Sequence, residues 1–272
     1  MKQRTHDKQP VTPLLHYYDM GAGVIAFSST RRGGYSTGAW AEFNINRYCG
    51  DDEQAIVKNR EALCQMLDIA DDRLIMPQQT HQTRVACIDE DYLCRQVPLE
   101  GFDALMTNLS GVCIGVSTAD CIPLLLYDEE HHAVCAVHAG WRGTLGRIAQ
   151  HAVSAMCQAY HTCSSRLRAQ IGPGISLESF EVGDEVYEAF HDASFDMMPI
   201  SRRYPSPTSS QPMKWHIDLP HSNRLQLIQA GLQPERIASS PACTYLHADT
   251  FFSARRLGIR SGRIFTAILL SP

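Results

Sequence analysis

A chain of 272 residues, 44% hydrophobic and 19% charged, can bury a full core without covalent staples and has the composition of an ordinary globular protein. Its net charge of −5 gives no reason to expect nucleic acid or an anionic membrane as a partner. Ten cysteines without one CxxC pair exclude a zinc ribbon or a thioredoxin-type motif, and no apolar run is long enough to span a membrane.

Residues 1–20 read as a flexible N-terminal tail, polar at the start and carrying Pro10 and Pro13, without the apolar stretch of a secretory signal. Residues 21–272, with no repeat and no dividing linker, read as a single catalytic domain. "VIAF" predicts a strand that breaks into a basic loop at Gly33-Gly34. "GDDEQAIVKNREALCQMLD" predicts a helix capped by Asp51 or Asp52, with Ile56, Leu63 and Leu67 near one face. Two short strands are expected around Pro77, the second through Val85 and Cys87. The most apolar part of the chain predicts strands near 104–107, 111–117, 122–127 and 132–138, with a hairpin turn at Asp128–His131. Leu145, Ile148, Ala149, Ala152, Val153, Met156 and Tyr160 fit a helical period. "LRAQI" predicts a strand and "GDEVYEAF" a short helix. Residues 195–214, rich in Pro and Ser, are expected to be a mobile loop. A strand at "HID", a helix capped near Ser222 and stopped by Gly231, and a last strand "RIFTAILL" follow. Hairpins mixed with helices favour an α+β fold. Cysteines inside apolar runs, such as Cys113, Cys135 and Cys157, behave as small hydrophobes, which suits a reducing, cytoplasmic setting.

Three segments share an oddity. "PQQTH", "TADC" and "AVHAGW" each place a polar, metal-capable side chain, His81, Cys121 and His138, at the end of an apolar strand. Cys121 and His138 are spaced as neighbours on a hairpin, and His81 has to come from a third strand. Two imidazoles and a thiolate make a tetrahedral zinc set with one position left for water, as in catalytic rather than structural sites. The spacing matches no compact metal motif, so packing roles for all three stay open at this point. Arginines form the second ingredient. Arg31 and Arg32 precede Gly33-Gly34, Arg142 follows His138, and Arg255, Arg256 and Arg263 crowd the last segment. Guanidinium groups suit phosphate through paired hydrogen bonds.

In this order, "FSSTRRGGYSTGAWAEFNI", "QQTHQTRV", "FDALMT", "VSTADCIPLLLYD", "AVHAGWRGTL", "IGPGI" and "CTYLHADTFFSARR" resemble a YfiH-like family, first described as multicopper polyphenol oxidase (laccase) and later as purine nucleoside phosphorylase. The resemblance runs from about residue 24 to the end of the chain. It implies two packed mixed β-sheets flanked by helices in four α/β/β/α layers, similar to cysteine hydrolases and a toxin deamidase. It implies zinc on His81, Cys121 and His138, with copper possible at the same site. It also implies phosphorolysis of adenosine, inosine and S-methyl-5′-thioadenosine to base and pentose 1-phosphate, and deamination of adenosine to inosine. Small-molecule nucleosides and phosphate are then the partners, and the protein is expected as a monomer or small homo-oligomer. In deamination an activated water would attack C6 of the purine, with Asp120 as the nearest acid in sequence. In phosphorolysis Arg31, Arg142 or Arg256 would hold phosphate; Asn44 is kept from the family's loop. Ala254 and Leu257 stand where the family usually has a tyrosine and an aspartate.

Two other readings compete. Multicopper oxidases use many histidines in HxH pairs; this chain has 12 histidines and no HxH. Alternatively, Cys121 and His138 form a nucleophile–base dyad of a hydrolase or of an amidase in peptidoglycan editing, which requires the thiolate to be free of metal.

Overall fold

The computed structural model describes residues 11–206 and 213–271. Leu15–Tyr18 form strand β1, antiparallel to β2, Val24–Ser29, so this part of the expected tail is a sheet edge. Residues 1–10 of that tail lie outside the described residues. Helix α1, Glu53–Leu67, begins where the Asp52 carboxylate accepts from the Ala55 amide and ends at left-handed Asp68. The two strands around Pro77 exist as β3, Leu74–Ile75, and β4, Val85–Cys87, but belong to different sheets. Helix α2, Glu90–Arg95, then precedes β5, Ala104–Thr107; β6, Cys113–Thr118; β7, Ile122–Asp128; and β8, Ala133–Ala139.

The helical period beyond Gly140 is split into α3, Trp141–Leu145, and α4, Ile148–Tyr160. The break comes at Gly146, where a Cβ would lie 2.7 Å from Thr83 Cγ2, and at left-handed Arg147. Strand β9 is Arg168–Ile171, β10 is Glu181–Val182 and α5 is Asp184–Asp192. The stretch 195–214, expected as a mobile loop, instead holds α6, Met197–Ile200, and β11, Ser201–Pro205, paired antiparallel with β12, Met213–Ile217. Residues 207–212 of that expectation lie outside the described residues. Helix α7, Leu219–Gln229, is capped by Asp218, which accepts from the His221 amide, and not near Ser222. Strand β13, Ile237–Ser239, helix α8, Ala254–Leu257, and strand β14, Ile264–Leu270, follow.

Five strands pair in the order β1-β2-β14-β6-β3 and six in the order β13-β9-β7-β8-β5-β4, with a small sheet β10-β12-β11 beside them. Both large sheets are mixed, since β3 runs parallel to β6, β4 to β5 and β13 to β9. The two sheets face each other, with β6 and β14 against β8. Alternation along β7 shows how. Leu125 and Tyr127 join Ile114, Val116, Val134, Ala136 and Ile268 between the sheets. Leu124 and Leu126 join Ile148, Ala152 and Met156 of α4 and Leu227 of α7 on the other side. With both faces covered, β7 and β8 are buried along their whole length and read as nearly continuous apolar runs, interrupted by Asp128 and His138. Outside the five-stranded sheet, Phe27, Phe265 and Leu269 pack on Leu63 and Leu67 of α1. The result is an α+β fold of packed mixed sheets flanked by helices.

Candidate active site

Two connections and one strand bring His81, Cys121 and His138 together; His81 comes from a loop and not, as expected, from the end of a third strand. His81 sits in the loop between β3 and β4 with left-handed backbone (φ 62°). Cys121 sits where the chain leaves β6 in one sheet to enter β7 in the other, directly after left-handed Asp120 (φ 85°). His138 lies near the end of β8, opposite Pro123 of β7. Non-glycine residues in this region are strained, and strain of this kind gathers at functional sites. One ligand atom from each of the three lies within 4.8 Å of the others, and Cys121 Sγ is 3.9 Å from His81 Nε2. Burial rises from exposed His81 through Cys121 to buried His138, so the cluster opens on the His81 side. Gly140 forms its back wall: a Cβ there would come within 2.9 Å of His81 Cδ2 and 3.0 Å of Cys121 Sγ.

Asp103, just before β5, is fully buried and organises the cluster. Its Oδ1 accepts from His138 Nδ1 at 2.7 Å and from the His81 amide at 2.9 Å, and its Oδ2 from the Gln82 and Thr80 amides at 2.8 and 3.2 Å. With the Nδ1 proton given to Asp103, His138 turns Nε2 toward the cluster. Gln79 pins the same loop to β6: its side-chain amide donates to the Ser117 carbonyl at 2.9 Å, and its oxygen accepts from the Ser117 amide at 2.8 Å. The charges follow. Burial alone would raise the Cys121 thiol, but the His138 imidazolium beside it wins and draws it down to about 6. Burial alone would lower His138, yet the Cys121 thiolate and the Asp103 carboxylate carry it up to about 9. Burial would raise Asp103; the bonds from His138 and the loop amides hold it below the usual carboxylate range. By contrast Cys135, buried on β8 without a partner, is pushed up.

The donor set suits a metal ion. Two imidazoles and a thiolate converge, one histidine has its tautomer fixed by a carboxylate, and three protein donors leave coordination to spare. The cluster forms the floor of a cleft of about 720 Å³, a size that admits a small ligand. Gln78, Gln79 and Ser117 line one side, and Trp141, Ile175, Phe180 and Ile259 supply apolar surface.

The arginines reach the cleft differently from the sequence expectation. Arg255 and Arg263 line it; Arg31, Arg142 and Arg256 do not. The Arg31 guanidinium donates to the carbonyls of Ala41 and Ala248, Arg142 lies over the Trp141 ring, and Arg256 lies over Tyr245. Asn44 is fully buried behind the cleft, where its oxygen accepts from the Arg263 amide at 3.1 Å. Asp120 lines the cleft, but Oδ1 accepts from the Thr244 hydroxyl and Oδ2 from the Arg255 amide, both at 2.7 Å. Asn44 and Asp120 therefore hold the backbones of the two arginines that face the cleft. Sequence reasoning missed Asp103 and Gln79 as site residues, and among the arginines it named it favoured Arg31, Arg142 and Arg256 over Arg255 and Arg263. An aspartate beside a turn looks ordinary, and only the pairing of β5 with β8 brings it to His138.

Residues 25–271 match the family described as multi-copper polyphenol oxidoreductase laccase. A purine nucleoside phosphorylase of Bacteroides thetaiotaomicron is 43% identical over 273 residues, covering 98% of each chain. An adenosine deaminase, RL5, of an unknown prokaryotic organism is 45% identical over 251 residues, covering 90% of this chain and 94% of that one. Among solved structures, YlmD from Geobacillus stearothermophilus superposes with a TM-score of 0.84 at 30% identity over 94% of each chain. The Bacillus licheniformis protein YfiH does so with 0.87 at 25% identity, covering 97% of this chain and all of that one.

Proposed function

The chain belongs to the multi-copper polyphenol oxidoreductase laccase family, and on that premise we propose that it is a zinc-dependent purine nucleoside enzyme. The observation that carries the reading is the convergence of His81, Cys121 and His138 at the floor of a cleft whose wall offers Arg255 and Arg263. The names of the curated relatives support the substrate class. The reactions are phosphorolysis of adenosine, inosine and S-methyl-5′-thioadenosine to free base and pentose 1-phosphate, and deamination of adenosine to inosine. Arg255 and Arg263 hold phosphate by charge-assisted bonds, in place of Arg31, Arg142 and Arg256. Trp141, Ile175 and Phe180 give the purine an apolar seat. Zinc on the three donors supplies Lewis acidity for activating water and orienting the ligand. Asp120 keeps Arg255 in place rather than carrying the proton. A cytoplasmic setting, where the ten free cysteines stay reduced, belongs to the same reading, as does a four-layer arrangement like that of cysteine hydrolases and toxin deamidases.

Purified, zinc-loaded protein incubated with adenosine, with and without phosphate, tests the proposal by chromatography of the products. Adenine released only with phosphate, and inosine formed without it, are expected. No product in either case would refute it. One observation favours a second reading: a thiol drawn down to about 6 beside an imidazolium is also the state of a cysteine nucleophile. In that case the protein would hydrolyse an amide without metal. A multicopper oxidase fits less well, because among the described residues a single group of three or more donors converges.

A further inference from the structure

We infer that Asp103 is a positioning residue that sets both histidine donors of the metal centre through one carboxylate. The inference rests on the reading that the cluster holds a metal ion. The two histidines come from unconnected parts of the chain, a loop between two sheets and the end of β8, and Asp103 is their common partner. Oδ1 accepts from the His138 ring and from the His81 amide, while Oδ2 accepts from the amides on either side of His81. The Asp103 carbonyl also accepts from the His138 amide at 2.7 Å. His138 is thus held by backbone and ring, and His81 is held in a left-handed conformation that an isolated loop would abandon.

The division of labour between the two oxygens makes the inference sharp. In Asp103→Asn, one oxygen becomes an amide nitrogen that donates and cannot accept. With that nitrogen toward Thr80 and Gln82, it opposes two N–H groups and loosens the His81 loop. Turned the other way, it faces the His138 ring and the His81 amide, and the ring must adopt the tautomer that withdraws Nε2 from the cluster. Either orientation sacrifices one donor, although the side chain keeps its shape.

The test compares the parent protein, Asp103→Asn and Leu125→Ala, each loaded with cobalt(II). Competition with a chelator gives the affinity, and visible absorption reports the ligand set. Asp103→Asn is expected to bind cobalt about 10–100-fold more weakly, with altered thiolate and ligand-field bands. Leu125→Ala weakens the core between the sheets without touching a donor, and is expected to keep the parent's affinity and spectrum. Equal affinity and superimposable spectra for Asp103→Asn and parent would overturn the inference, as would an equal loss in Leu125→Ala. Nitrogen NMR of zinc-loaded parent protein provides a measurement that needs no variant. His138 is expected with its proton on Nδ1 and the metal on Nε2, and the reverse would overturn the inference. A parent that binds no metal would remove the metal reading, and this inference with it.

Discussion

The two ends of the β7–β8 hairpin use the same residue types for different ends. At the closed end Asp128 accepts from His131 Nδ1 at 2.9 Å and from the Glu130 and His131 amides. At the open end Asp103 accepts from His138 Nδ1 at 2.7 Å and from three amides. Each end is an aspartate that gathers backbone N–H groups and orients an imidazole. The closed end stops there, and its imidazole shapes a turn. At the open end the free side of the imidazole meets a thiol from the sheet crossing and a second imidazole from the β3–β4 loop. An Asp–His contact is therefore not a site in itself; convergence of chain segments remote in sequence makes it one.

The largest way to break the comparison is to remove a donor at the open end. Cys121→Ala or His138→Ala should cost more than the roughly 100-fold in zinc affinity that the loss of a supporting partner can cost, and should abolish product formation from adenosine. Metal content after dialysis and chromatography of products check it; a variant that keeps both would break the account. Gly140→Ala leaves every donor in place but puts a methyl against His81 and Cys121. A displacement of about 1 Å at reacting groups costs on the order of 100-fold in rate, so kcat/KM should fall that far while the fold persists by circular dichroism.

The charge difference sharpens the comparison further. In metal-free protein the thiolate of Cys121 is favoured because its folded pKa lies below the ordinary thiol value, so the reactive form is lost as pH falls through about 6. Alkylation by iodoacetamide, followed at Cys121 by peptide mass spectrometry, should show a midpoint near pH 6 and should be suppressed by zinc. A midpoint near 8.5, the value of a free thiol, would contradict the assigned environment. The smallest effect on activity belongs to the closed end. His131→Ala takes one donor from the buried Asp128 carboxylate, which keeps its two amides, and should cost about 1.5–3 kcal/mol of stability, with kcat/KM unchanged in the same assay.

Much of this was legible in the sequence where local physics decides. The mostly apolar stretches 122–127 and 132–138 read as strands because both faces of β7 and β8 are buried, and the helical period from Leu145 to Tyr160 follows the buried stripe of α4, although the chain breaks it before Ile148. His81, Cys121 and His138 stood out because each interrupts or ends such a run. The remainder depends on pairing across the chain. Ser201–Pro205 looked like loop because its strand character comes from its partner Met213–Ile217 rather than from its own composition. The choice among six arginines could not be made locally. Arg255 and Arg263 line the cleft where Asp120 and Asn44, far away in sequence, hold their amides, whereas Arg31, Arg142 and Arg256 lie outside it.

The central claim is that positions 81, 121 and 138 bind one ion. Anomalous diffraction at the zinc edge from crystals grown with zinc tests it most directly. The account predicts one strong peak within about 2.0–2.3 Å of a nitrogen of His81, the Cys121 sulfur and His138 Nε2. A map with no peak among these three side chains, or with the ion bound elsewhere in the molecule, would contradict it.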